Sequence, residues 1–98
     1  MSKLFNQISV PQEVHLRRMY VHDALDKLDI YIQYAINAGH IRVRVIHGKG
    51  TGVLRLAVHE FLSKHSQVEK YYGAPPNEGG GGVTIAELHP TYNCAPDF

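Results

Sequence analysis

The chain alternates, then cycles at helical spacing, then alternates again. Between Glu13 and Arg17, Val14 and Leu16 point one way and Glu13, His15 and Arg17 the other, as in a half-buried strand. From Tyr20 to Ala38 the apolar positions Val21, Leu25, Leu28, Ile32 and then Ala35 or Ile36 fall on one helical stripe, with Asp26, Lys27, Asp29 and Gln33 facing out. Asp23 stands in the first turn, where a carboxylate suits the helix dipole, and Gly39 stands where a glycine closes a helix. Tyr31 and Tyr34 flank the stripe and read as rim packing rather than base-stacking platforms. Ile41 to Ile46 is a second strand, with Ile41, Val43 and Val45 toward the core and Arg42 and Arg44 on the other side. Val53 to His65 is a second helix that turns Leu54, Val58, Phe61 and Leu62 inward. Val68 to Tyr72 and Val83 to Leu88 are two further strands, most simply an antiparallel hairpin. Gly73 to Gly82, with Ala-Pro-Pro-Asn-Glu and four consecutive glycines, reads as a mobile loop.

The resulting order is β-α-β-α-β-β. Each of the two helices can cross over right-handedly between parallel strands. The economical architecture is α/β: an α+β two-layer sandwich, a four-stranded mixed sheet with two helices on one face. Residues 1–12 read as an N-terminal arm, 13–88 as the domain and 89–98 as a tail. The uncovered sheet face would then show His15, Arg17, Arg42 and Arg44. That is a local basic surface, unless these are ordinary solvated side chains or the arm covers them.

With 98 residues there is room for one domain. The net charge of +1 means that any polyanion binding must rest on where the cations lie, not on their total. Cys94 is the only cysteine, so no disulfide closes within the chain. No apolar run is long enough to span a bilayer, and no signal-peptide core is visible. The expectation is a cytoplasmic protein with no membrane partner, monomeric as an isolated domain.

The candidate chemistry sits in Val43-Arg44-Val45-Ile46-His47-Gly48-Lys49-Gly50-Thr51-Gly52-Val53-Leu54-Arg55. A β-branched strand runs through a glycine-spaced turn directly into a helix. The free N–H groups and positive dipole end of such a helix, with Lys49 beside them, suit an anion, and a phosphate above all. Neither the P-loop nor the dinucleotide fingerprint is met. Gly50 rather than Ser or Thr follows Lys49, and the third glycine comes one residue early. Arg55 works against the dipole of the second helix, which marks it as a candidate phosphate contact. His59 and His65 read as exposed helix residues, since Ser63 stands where a zinc-binding helix needs its second histidine. His89 and Cys94 are too few ligands for a structural zinc site.

With the strand order and the loop in hand, the chain resembles a small MutS-related (Smr) domain over roughly Glu13 to Leu88. The resemblance is carried by Val45 to Arg55, by Ala24-Leu25 and the helix around them, and by Gly73 to Thr84. It implies the two-layer βαβαββ sandwich. It also implies binding to DNA or RNA and, in several members, metal-assisted nicking endonuclease activity. Such domains occur alone or at the end of larger MutS-type proteins linked to recombination control and to rescue of stalled ribosomes. The family's first motif reads Leu-Asp-Leu-His-Gly or Leu-Asp-Leu-Arg-Gly. The matching stretch here is Val14-His15-Leu16-Arg17-Arg18, so Arg17 fits, His15 replaces the acid and Arg18 replaces the glycine. An imidazole cannot give Mg²⁺ the hard oxygen ligand that an aspartate gives. Glu13 lies on the same strand face but is displaced by about 7 Å.

The expectation is therefore a module that grips backbone phosphates through Arg17, Gly48, Lys49, Gly50, Thr51, Gly52 and Arg55. Nicking activity is expected to be weakened by His15. His47 with Glu13 or His15 would carry that catalysis, with Mg²⁺ the cofactor if the chain is a nuclease. If the first two strands are neighbours, His15 and His47 could instead flank one phosphate and cleave RNA without metal. The alternative is a catalytically inactive interaction or ribosome-docking module of a larger MutS-related assembly.

Overall fold

The computed structural model describes residues 10–89. The arm and tail expected at the two ends lie largely outside that range. The elements are β1 (Glu13–His15), α1 (Val21–Asn37), β2 (Arg42–Ile46), α2 (Val53–Lys64), β3 (Val68–Gly73) and β4 (Val83–Leu88). The sheet order is β1-β2-β4-β3. β1 runs parallel to β2, and β4 is antiparallel to both β2 and β3. This is the expected mixed sheet and β3–β4 hairpin.

The core forms because three periodicities converge on one sheet face. Val14 and Leu16, Val43 and Val45 from β2, and Ala86 and Leu88 from β4 meet Ala24, Leu28, Tyr31, Ile32, Ala35 and Ile36 of α1 and Val58 and Leu62 of α2. The opposite face holds only a small apolar cluster of Ala74, Val83 and Ile85, with Ile46 packed against it. Both helices therefore cover one side. Tyr31 is buried beyond rim packing, and its hydroxyl donates to the Pro11 carbonyl at 2.5 Å. Burial, reinforced by the nearby Glu13 charge, pushes this phenol up to about 12. Helix α1 ends as its glycine suggests. The Gly39 amide bonds to the Ile36 carbonyl and the His40 amide to that of Ala35, both at 3.0 Å.

Four expectations are corrected. Ile41 is 63% exposed and does not join the core, because the strand begins at Arg42. His59 is half-buried and hydrogen-bonded, not solvated. His65 is also half-buried: its Nδ1 accepts from the Gln67 amide, and its Nε2 lies 3.4 Å from Asp29 on α1. The ring thus ties the two helices together. The loop after β3 is not featureless. It contains two 3₁₀ turns, Pro76–Glu78 and Gly80–Gly82, and ends against the β2–α2 loop. The Gly82 carbonyl accepts from the amides of both His47 (3.0 Å) and Gly48 (2.9 Å). Within the glycine run it is Gly79 that needs to be glycine: its φ is 116°, and a Cβ there would stand 2.3 Å from the Val83 side chain.

Arg18, at the position where the resembling motif has glycine, adopts φ 64°, in the left-handed region that a Cβ disfavours. It is the only non-glycine residue with positive φ among those described. Arg18→Gly is therefore expected to stabilise the fold by about 1 kcal/mol in urea denaturation. A loss of stability would show that the arginine side chain has a supporting partner.

Candidate functional site

The β2–α2 loop is built on a chain of buried hydrogen bonds. His47 continues the inward-facing row of Val43 and Val45, so its ring lies on the helix side of the sheet, only 4% exposed. Its Nδ1 donates to the Gly48 carbonyl at 2.9 Å, which requires the proton on that nitrogen. The bare Nε2 then accepts the Thr84 hydroxyl proton at 2.8 Å. The same Thr84 oxygen lies 2.8 Å from His59 Nε2, which must donate to it, since the hydroxyl has one proton and has already given it. The sequence is His59 N–H to Thr84 O–H to His47, and His47 N–H to Gly48 carbonyl. Burial first of all pushes both imidazoles below the ordinary 6.5. For His47 the Gly48 carbonyl opposes that shift and the Arg55 charge adds to it. For His59 the neighbouring His47 and then Arg55 add to it. Both shifts favour the neutral ring, the form that His47 needs in order to accept from Thr84.

The outcome is a turn that shows its amides outward. Gly48 and Gly52 take φ 83° and 89°, conformations that side-chain-bearing residues rarely adopt. Helix α2 has no side-chain cap and no acid in its first turn. Thr51 Oγ1 reaches the Val53 amide only at 3.4 Å. The amides of Lys49, Gly50, Thr51, Gly52, Leu54 and Arg55 have no hydrogen-bond partner among the described residues. Two clefts flank the turn. One, of about 310 Å³, runs from Arg18–Val21 to His47–Arg55. The other, of about 450 Å³, is lined by Arg17, Lys49, Val83 and the glycines of both loops. Neither is lined by a carboxylate. The Arg17 stem packs over Gly48, within 3.4 Å of where a Cβ would stand there. Exposed Arg17, Arg18, Lys49 and Arg55 form no ion pair among the described residues. Amide donors and unpaired cations thus converge on the same two clefts, an arrangement suited to tetrahedral oxyanions.

A search against protein families matches the Smr domain over residues 14–89. The chain belongs to the Smr domain family. It is 52% identical over 79 residues to a protein named endonuclease MutS2 from Thermomicrobium roseum and 46% identical over 83 residues to one from Staphylococcus haemolyticus. These matches cover 81% and 85% of the chain but only 10% and 11% of those relatives. The chain thus spans about a tenth of the length of the curated relatives it matches. Among solved structures, the Smr domain of Thermus thermophilus MutS2 superposes with a TM-score of 0.79 at 44% identity, covering 82% of this chain and all of that one. The stand-alone small MutS-related protein YdaL from Escherichia coli gives 0.75 at 28%, covering 80% of this chain and 64% of that one.

Within this Smr domain the expected site residues divide. Arg17, Gly48, Lys49, Gly50, Thr51, Gly52 and Arg55 come together around the turn. Glu13 and His15 do not. β1 and β2 are neighbours, with His15 in register with Ile46, but His15 points to the uncovered face and His47 to the helix face. The two histidines therefore cannot flank one phosphate. Glu13 is held by Arg44 and by His15 at 3.2 Å, and these partners keep its carboxyl below the usual range, Arg44 foremost. His47 has both ring nitrogens in hydrogen bonds within the protein, to the Gly48 carbonyl and the Thr84 hydroxyl. No group of three or more His, Cys, Asp or Glu able to hold a metal occurs among the described residues, and the two clefts lack carboxylates. Sequence reasoning missed His59 and Thr84. His59 stands three residues before inward-facing Leu62, and Thr84 shares its strand face with Ala86 and Leu88, so periodicity carried a signal for both.

The expected basic surface on the uncovered face is neutralised at Arg42 and Arg44 but not at Arg17. Arg44 pairs with Glu13, Arg42 lies 3.1 Å from Glu78, and Tyr72 donates to Glu87 at 2.6 Å. Around the turn, Arg17, Arg18, Lys49 and Arg55 have no ion pair among the described residues.

The hydrogen-bond chain predicts acid sensitivity. As pH falls through about 6.5 the unfolded chain takes up histidine protons that folded His47 and His59 still refuse, so stability present above that pH is lost below it. Urea midpoints should be lower at pH 5 than at pH 7.5. Thr84→Val, which keeps the shape and removes the shared hydroxyl, should cost about 1–3 kcal/mol at pH 7.5. An unchanged midpoint in that variant would show that the two rings find other partners.

Proposed function

We propose that this Smr domain binds DNA or RNA by its backbone phosphates, which sit in the clefts beside the β2–α2 turn. Free amides of Lys49 to Gly52 and of Leu54 and Arg55 take the oxygens, and Lys49, Arg55, Arg17 and Arg18 neutralise them. The observation that carries the reading is the segregation of charge. Arg42 and Arg44 on the uncovered face are paired with acids, while Arg17, Arg18, Lys49 and Arg55 beside the turn form no ion pair among the described residues, and no carboxylate lines either cleft. Phosphate contacts carry no base information, so sequence preference is weak. Family-style nicking is weakened or lost in this chain. The position of the first motif's acid is taken by His15, which lines neither cleft, and both ring nitrogens of His47 are held in hydrogen bonds within the protein.

Binding should fall steeply with salt. In a fluorescence anisotropy titration, Lys49→Ala and Arg55→Ala should each weaken binding and reduce the slope of log K against log salt by about 1. Slopes that stay at the wild-type value would place the polyanion elsewhere.

Supercoiled plasmid and a structured RNA, each incubated with and without Mg²⁺, test catalysis. Neither should be cut above background by the wild type. Mg²⁺-dependent cutting that disappears in a folded His47→Ala variant would return His47 to a catalytic role.

A further inference from the structure

One residue of the first cleft is not explained by phosphate binding. Tyr20 is 83% exposed, more than any other large apolar or aromatic side chain described. It occupies the N-cap of α1, a position that favours Ser, Thr, Asp or Asn, and it supplies no capping bond. Its hydroxyl has no partner among the described residues. Neither helix initiation nor core packing accounts for a tyrosine here. Yet Tyr20 lines the same cleft as Lys49, the turn and Arg55. Val53, 58% exposed at the start of α2, lines that cleft too. The first turns of the two helices thus bring an aromatic face and a branched apolar side chain to a cleft rich in cations and amides.

We infer that this cleft takes one unstacked nucleotide of a single-stranded nucleic acid, its base on Tyr20 against Val53 and its phosphate on the turn. This rests on the phosphate reading above and adds the substrate class to it. Three considerations select a single strand. The cleft, about 310 Å³, is at the small end of ligand sites and has no room for a duplex. A base within a duplex has both faces covered by its neighbours and cannot use an aromatic platform, whereas an unpaired base can. The charge of the cleft matches a phosphate attached to that base, because no carboxylate lines it. Tyr20 is then a discriminating residue: the phosphate contacts hold any backbone, and the ring rewards only a base that is free to leave its stack.

The test is an anisotropy titration of wild type, Tyr20→Ala and Tyr20→Phe with four probes: ten-nucleotide oligo-dT, oligo-U, a blunt ten-base-pair duplex, and a ten-nucleotide abasic strand. A stacked base contributes about 1–3 kcal/mol, so Tyr20→Ala should weaken both base-bearing single strands about 5- to 150-fold. Tyr20→Phe should retain wild-type affinity. The ratio of single-strand to duplex affinity should collapse in Tyr20→Ala, with the salt slope unchanged and the abasic strand insensitive to the substitution. Equal affinity of Tyr20→Ala and wild type for the single strands would overturn the inference while leaving the phosphate reading intact. So would an equal loss on every probe, which would report damage to the fold; thermal melts of Tyr20→Ala identify that case, and Tyr20→Leu, which keeps bulk without a ring, must still lose the single-strand preference. Absence of salt-dependent binding to any probe by the wild type would overturn both readings.

Discussion

The shape of the site depends on one hydroxyl. Thr84 Oγ1 joins His59 of α2 to His47 at the end of β2, and His47 in turn fixes the Gly48 carbonyl inward. A carbonyl turned in leaves the following amides turned out. The Gly82 carbonyl then clamps the His47 and Gly48 amides from the other side. Between these two sets of bonds the turn is held, and the amides of Lys49 to Gly52, Leu54 and Arg55 have no partner among the described residues before any ligand arrives. Preorganisation of that kind lowers the ordering cost of binding, because the loop has already lost its alternatives in folding.

Charge is distributed to the same end. The molecule carries almost no net charge, and its uncovered sheet face mixes arginines with glutamates that hold them. Where the two helices begin, the clefts carry cations and no carboxylate. A near-neutral surface suppresses indiscriminate polyanion binding, and a few uncompensated cations beside a low-dielectric wall focus attraction at one place. That separation is also why bulk charge said nothing about this protein and position said a good deal.

Much of the fold was legible in the sequence, and for identifiable reasons. Val14/Leu16 and Val43/Val45 have the period of a half-buried strand, the Leu28/Ile32/Ala35 stripe has that of a helix, and Gly39 ends it through the bonds that a left-handed residue makes available. The glycine-spaced turn announced the amides. What stayed hidden was pairing across long sequence distances. Nothing local says that Glu13 will take Arg44, or that His47 will share a threonine 37 residues away with a histidine from another element. The glycine run 79–82 was read from composition alone, which does not show that the register of β4 beside β2 brings the Gly82 carbonyl to the His47 and Gly48 amides. Likewise, His15 and His47 fall on neighbouring strands as expected, but an offset of one residue in register sends their rings to opposite faces.

The central claim is that outward-facing amides and unpaired cations at the β2–α2 turn are the anion receptor. Amide chemical shifts followed by ¹H–¹⁵N correlation spectra, as inorganic phosphate and then a short oligonucleotide are added, test it most directly. The account predicts the largest and saturable shifts at Gly48 to Arg55, with Arg17 and Arg18 next and Arg42 and Arg44 unmoved. Shifts centred on Arg42 and Arg44, or none that saturate at the turn, would contradict it.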